Sequence, residues 1–182
     1  MQEDVKTTTL VFQGRVFDLS IQEVVLPNGM TARREIITHP GAVAIAALDA
    51  DGCLLMVRQY RSAAGRVLLE VPAGTLESEE AGSPEMCAER ELQEEVGYKP
   101  GSLEKLGGIF VAPGYTSEYI HLYLATDLTP SRLNSDDDEL IELVRVPFEE
   151  AVRKCETDEI CDAKSIAAIT RAWAVFQNAR RG

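Results

Sequence analysis

The stretch AERELQEEVGY, residues 88–98, crowds Glu89, Glu91, Glu94 and Glu95 into seven residues. On a helix, residues three and four apart are neighbours, so Glu91, Glu94 and Glu95 share a face. Like charges at that spacing cost roughly 0.2–0.5 kcal/mol per pair in isolation. Arg90 stands four residues before Glu94 and offsets part of this. Two chemistries fit the pattern. One is a solvated acidic face with no further role. The other is a cluster that holds a divalent metal. Hard cations such as Mg²⁺ take oxygen ligands and keep several waters, so a few carboxylates plus a substrate phosphate make a natural site.

A helix must position these carboxylates, and the flanking residues supply its signals. Ser83 suits the N-cap, Pro84 the first helical position and Glu85 the first turn, where the macrodipole favours acid. Gly97 suits the position after the C-cap. The helix is therefore expected from about Ser83 to Val96, with Ala88, Leu92 and Val96 as the apolar stripe facing the core.

The rest of the chain reads mostly as strands. LVFQGRVFDLSIQEVVL (10–26) is extended, PNG (27–29) is a turn and TARREIITH a second strand, giving an N-terminal antiparallel hairpin or small antiparallel sheet. AVAIAALD and CLLMVRQYR pair across Asp51–Gly52, and VLLEVPAG adds a strand ending in a turn. LEKLGGIFVA, YIHLYLAT and LIELVRVP follow as strands; FEEAVRKC and AKSIAAITRAWAVFQNARR are helical. The expected class is α/β, a mixed sheet sandwiched by helices. A hairpin region over 1–40 would precede a main domain over 41–182.

Composition narrows the function. With 18 Lys and Arg against 30 Asp and Glu, the formal net charge is −12, and no basic patch suggests a nucleic-acid partner. Cys53, Cys87, Cys155 and Cys161 form no CxxC pair, and His39 and His121 lie far away in sequence. A zinc site is not expected, and the cysteines read as mostly buried thiols of a reducing compartment. No apolar run reaches membrane length and MQEDVKTTTL has no apolar signal core, so no membrane partner and a cytoplasmic location are expected.

The segment from Gly74 to Tyr98 resembles the Nudix box. Arg90, Glu91, Leu92, Glu94, Glu95, Gly97 and Tyr98 match its second half, and Gly74 and Glu80 match its first. Nine residues separate Glu80 from Arg90 where the family has seven. This reads as a two-residue insertion before the helix and leaves open whether Glu80 is the equivalent glutamate. APGYTSE, with Pro113 fifteen residues after Tyr98, resembles the ADP-ribose and ADP-sugar pyrophosphatases of that family. So do RREIITHPGAVAI (33–45), VRQYR (57–61), LLEVPAG (68–74) and ICDAKSIAAI, which opens the last helix.

The resemblance implies a Nudix α/β/α sandwich that hydrolyses ADP-ribose, or a related ADP-sugar, to AMP and ribose 5-phosphate with Mg²⁺ or Mn²⁺. It implies Glu91 and Glu95 as main metal ligands, Glu94 sharing the site and the carbonyl of Ala73 as a further ligand. Arg90 would orient the glutamates. A glutamate of the late acidic loop, Asp136 to Glu139, would stand near the attacking water; Glu139 is the first choice, then Asp138. Arg33, Arg34, Arg58 and Arg61 are candidates for phosphate or ribose contacts, together with Pro113, Gly114 and Glu118. Each arginine has an alternative reading as a strand-face residue paired with a surface acid. The N-terminal hairpin would pair with a second subunit, and Phe12, Phe17 and Ile21 would face a shared adenine pocket or pack internally. Three alternatives stand beside this: the same chemistry on GDP-mannose, a UDP-sugar, a dinucleoside polyphosphate or an oxidised nucleotide; a non-catalytic nucleotide sensor; and an acidic interaction protein.

Overall fold

The computed structural model describes residues 2–134 and 140–180. Its contacts divide the chain into two units, residues 1–41 with 110–119, and residues 42–109 with 120–182.

The first unit holds a three-stranded antiparallel sheet, β1 (Asp4–Gln13), β2 (Asp18–Val25) and β3 (Thr31–Thr38), in that order. The expected hairpin is β2–β3, closed by the PNG turn with Gly29 at φ 84°. The stretch read as one extended segment over 10–26 is instead broken between β1 and β2. Gly14 N–H donates to Phe17 O there (3.1 Å), so the chain reverses and adds a third strand. Every residue of β1 is exposed. The segment 112–118 runs beside the end of β3. Ile37 N–H donates to Tyr115 O (2.8 Å) and Ser117 N–H to Ile37 O (2.9 Å).

The second unit is built on β4 (Ala42–Leu48), whose seven residues are all buried. A continuous apolar strand needs cover on both faces, and alternate residues of β4 supply the two cores. Ala42, Ala44, Ala46 and Leu48 join α2 (Phe148–Glu156) and α3 (Ala163–Ala179). Val43, Ile45 and Ala47 join Cys87, Ala88 and Leu92 of the acidic helix on the other face. The sheet order is β12 (Ile141–Pro147), β5 (Cys53–Arg61), β4, β10 (Tyr119–Thr126), β9 (Ser102–Phe110). β4 and β10 are parallel while β5 is antiparallel to both β4 and β12, so the sheet is mixed. β6 (Arg66–Glu70) pairs with β5, and β7 (Ala73–Thr75) with β4. A short ladder joins β8 (Tyr98–Lys99) to β11 (Thr129–Pro130).

Trp173 and Phe176 of α3 pack on Phe148 at the edge of the core, at ring-centroid distances of 4.9 and 5.3 Å. Phe12 and Phe17 are not core residues of this chain: both are exposed, with rings 6.0 Å apart. The cysteines are all free thiols, but only Cys87 is buried; Cys53 and Cys155 are half-buried and Cys161 is exposed. No helix among the described residues is long and apolar enough to cross a membrane.

Candidate active site

The acidic segment forms one helix in two geometries. α1 runs over Pro84–Glu91, and Leu92–Val96 continues it as a wider π-helical turn. Gly97, at φ 76°, ends it in the left-handed region that glycine enters without penalty. Ser83 is the N-cap, but its hydroxyl makes no capping bond. The π turn carries Glu94 and Glu95, and such turns gather at functional sites because they re-aim side chains. Ala88, Leu92 and Val96 are buried, as the apolar stripe requires.

The carboxylates do not lie on an open solvated face. Glu80, Glu91 and Glu95 are only 6%, 8% and 5% exposed. Arg90 stands among them. Its Nε and Nη2 donate to the two oxygens of Glu80 at 2.8 and 3.0 Å. Its Nη1 donates to Glu91 and Glu94, both at 2.8 Å. This two-pronged geometry is one that a guanidinium fork can make and an ammonium cannot. The Glu80 contact holds the arginine's pKa well above its ordinary value. The same bond, foremost, holds the Glu80 carboxyl below its own. Glu80 therefore occupies the arginine despite the two extra residues. Glu80 closes a 3₁₀ turn at Ser78–Glu80, where Glu77 N–H donates to Glu80 Oε2 (2.9 Å).

The turn between β6 and β7 meets this helix. Ala73 N–H donates to Glu95 Oε2 at 3.0 Å. A Cβ on Gly74 would stand 1.8 Å from Glu91 Oε1, so only glycine leaves room for that carboxylate. Beneath them lies the Cys87 thiol, 3.6 Å from the Thr75 carbonyl and 3.4 Å from Arg90 Nη2. Burial, and after it the charges of Glu91 and Glu80, push this thiol up, so it stays neutral.

Three carboxylates, those of Glu80, Glu91 and Glu94, thus converge on one arginine, with Glu95 held nearby by the Ala73 N–H. Burying net negative charge is costly unless cations or hydrogen bonds compensate it. The donor set is all oxygen, which fits Mg²⁺ or Mn²⁺ rather than zinc. Among the described residues no three acidic, His or Cys side chains close into a cage around one point. Carboxylates that do not by themselves enclose an ion suit one that keeps waters and takes further ligands from substrate phosphate.

The candidate arginines have diverse settings. Arg61 donates from Nε and Nη2 to both oxygens of buried Glu70, at 2.9 and 2.7 Å. Arg34 pairs with Glu3 (2.5 Å), and Arg58 lies 3.6 Å from exposed Glu142. Arg33 is exposed on β3. Pro113, Gly114 and Glu118 lie in the segment beside β3; Glu118 N–H donates to Thr116 Oγ1 (3.1 Å) and Glu118 O accepts from Val111 N–H (3.2 Å). Glu139, with Asp136, Asp137 and Asp138, lies outside the described residues. Sequence reasoning did not single out Glu70 or the start of α3, described below. The LLEVPAG and ICDAKSIAAI stretches were the available signal.

The NUDIX domain family matches residues 38–169. An ADP-ribose pyrophosphatase of Bacillus subtilis (strain 168) is 41% identical over 161 residues, covering 87% of this chain and 86% of that protein. A methanol dehydrogenase activator of Bacillus methanolicus is 38% identical over 170 residues, covering 92% of this chain and 91% of that protein. The crystal structure of an ADP compounds hydrolase superimposes with a TM-score of 0.88, covering 100% of this chain and 98% of its own, at 24% identity. That last likeness speaks for the fold. With the RELQEEVGY helix built as described, the chain belongs to the NUDIX domain family and is a hydrolase of that family.

Proposed function

We propose that this hydrolase cleaves the pyrophosphate of ADP-ribose, or of a closely related ADP-sugar, giving AMP and ribose 5-phosphate in a reaction that needs Mg²⁺ or Mn²⁺. The observation that carries the reading is the burial of Glu91 and Glu95 beside Glu94, with Arg90 holding Glu80, Glu91 and Glu94 together. The substrate class rests on the APGYTSE, VRQYR and LLEVPAG stretches and on the 41% identity to an ADP-ribose pyrophosphatase.

Glu91, Glu95 and the Ala73 carbonyl would hold the metal, with Glu94 sharing it. When bound, divalent ions would neutralise the diphosphate and lower the pKa of a coordinated water. Arg90 fixes the side chains of Glu91 and Glu94 through charge-assisted bonds, so little reorganisation is needed. Glu139, or else Asp138, would accept the proton of the attacking water. Arg33, Arg34, Arg58, the remaining Nη1 of Arg61, Pro113, Gly114 and Glu118 are the proposed substrate contacts. The N-terminal region would pair with a second copy of the chain.

The test is a panel of ADP-ribose, GDP-mannose, a UDP-sugar and a dinucleoside polyphosphate, run with wild type and Glu95→Gln. Expected are the highest kcat/KM on ADP-ribose and a loss of more than about 100-fold in the variant, since even outer-shell changes cost about 10–100-fold. Unchanged turnover in folded Glu95→Gln would reject the site. Tight ADP-ribose binding without turnover at saturating metal would favour a sensor.

A further inference from the structure

The turn that carries Ala73 is held from behind by a closed ring of polar groups that joins β6 to the start of α3. Its first member is Glu70, which is 1% exposed. Glu70 accepts from Arg61 and from Lys164. Lys164 Nζ also donates to Asp162 Oδ2, at 2.9 Å. Asp162 caps α3, accepting from Ser165 N–H (3.0 Å) and from Ser165 Oγ–H (2.6 Å). Ser165 Oγ in turn accepts from the N–H of Val71, at 2.9 Å. The ring thus leaves the chain at residue 70 and returns to it at residue 71.

Beyond this ring the turn is gripped at each successive residue. Ile45 N–H donates to Pro72 O (2.9 Å), Ala73 N–H donates to Glu95, and Gly74 lies against Glu91. The amides of residues 71 and 73 are therefore fixed by Ser165 and Glu95 respectively. A hydroxyl both donates and accepts, so Ser165 can bind Asp162 and Val71 at once, which alanine cannot. Ser165 is fully buried, and a satisfied buried network of this kind is stiff because its bonds lie in a low dielectric.

We infer that Ser165, with Asp162, Lys164 and Glu70, positions the Ala73 turn and so sets the geometry of the metal-binding face. The ring acts through the Ala73 carbonyl and through the Ala73 N–H bond to Glu95. The inference rests on the reading of Ala73, Glu91 and Glu95 as metal ligands.

The test measures Mn²⁺ binding without substrate, by electron paramagnetic resonance well below the melting temperature. It compares the full-length wild type with Ser165→Ala, Asp162→Asn and Glu95→Gln. Asp162→Asn keeps a good N-cap acceptor and removes only the charge beside Lys164, so it serves if Ser165→Ala does not fold. Ser165→Ala should weaken Mn²⁺ binding by about 10-fold, and Asp162→Asn in the same direction by less. If both variants melt lower yet bind Mn²⁺ within about two-fold of wild type, while Glu95→Gln has lost it, the ring is merely structural and the inference falls alone. If the wild type binds no Mn²⁺, the site reading falls and takes the inference with it.

Discussion

At the scale of single residues, Gly74 separates a role in the site from a role in the fold. The colliding atoms for an added Cβ are the tip of the Glu91 side chain, not backbone. A side-chain tip can move aside at modest energetic cost. Gly74→Ala should therefore fold, with a melting temperature within a few degrees of wild type, and lose more than about 10-fold in kcat. Thermal melting and steady-state kinetics on one preparation check both halves. A variant with full activity would show that the observed position of Glu91 is not the working one. At this scale the sequence was partly legible: the shared face of Glu91, Glu94 and Glu95 and the Arg90–Glu94 pair follow from helix spacing, while the wider orienting role of Arg90 is what the family resemblance implies. Two things did not follow. Sequence reasoning leaves Arg61 open between substrate and an acid, and the structure pairs it with Glu70, nine residues on, because β5 and β6 are adjacent strands. The depth at which Glu91 and Glu95 are buried depends on Gly74 and Ala73, which only the folded sheet brings near.

At the scale of elements, Glu80 of the loop before α1 and Arg90 pair through two bonds although nine residues separate them. This has a pH consequence. The Glu80 carboxyl lies below its ordinary value of 4.5 in the folded protein. Between those two values the unfolded chain binds more protons, so stability rises with pH there. The contribution is fully present above the unfolded value and is lost as pH falls through the folded one. Glu80→Gln should therefore show a shallower loss of melting temperature below about pH 4.5 than wild type. Glu70 and Asp162 shift the same way, their cationic and hydrogen-bonding partners outweighing burial, so some slope remains. Parallel slopes in the two proteins would contradict the pairing. The helix ends were legible from Pro84 and Gly97. The π turn was not, since no residue type marks where a helix widens by one residue.

At the scale of the whole molecule, the α/β class was legible from the mix of strands and helices, and β4, with seven consecutive apolar residues, is covered on both faces. The third N-terminal strand was missed, because its apolar residues run on into β2 with only Gly14 to mark the break. That strand leaves Val5, Leu10, Val11 and Phe12 exposed, with Val16 and Phe17 after it. Apolar surface of this kind on one element is typical of an interface. The 20.0 kDa chain should run as a dimer in light scattering, and Phe12→Asp should shift it toward monomer. A wild type that is monomeric at all concentrations would remove the proposed pairing.

The central claim is that the buried carboxylates around Arg90 bind divalent ions that bridge to a pyrophosphate. Anomalous diffraction from crystals holding Mn²⁺ and a non-hydrolysable ADP-ribose analogue tests it most directly. The account predicts manganese in contact with Glu91, Glu95 and the Ala73 carbonyl, and with the diphosphate oxygens. Manganese bound elsewhere, or an analogue whose diphosphate lies away from these residues, would contradict it.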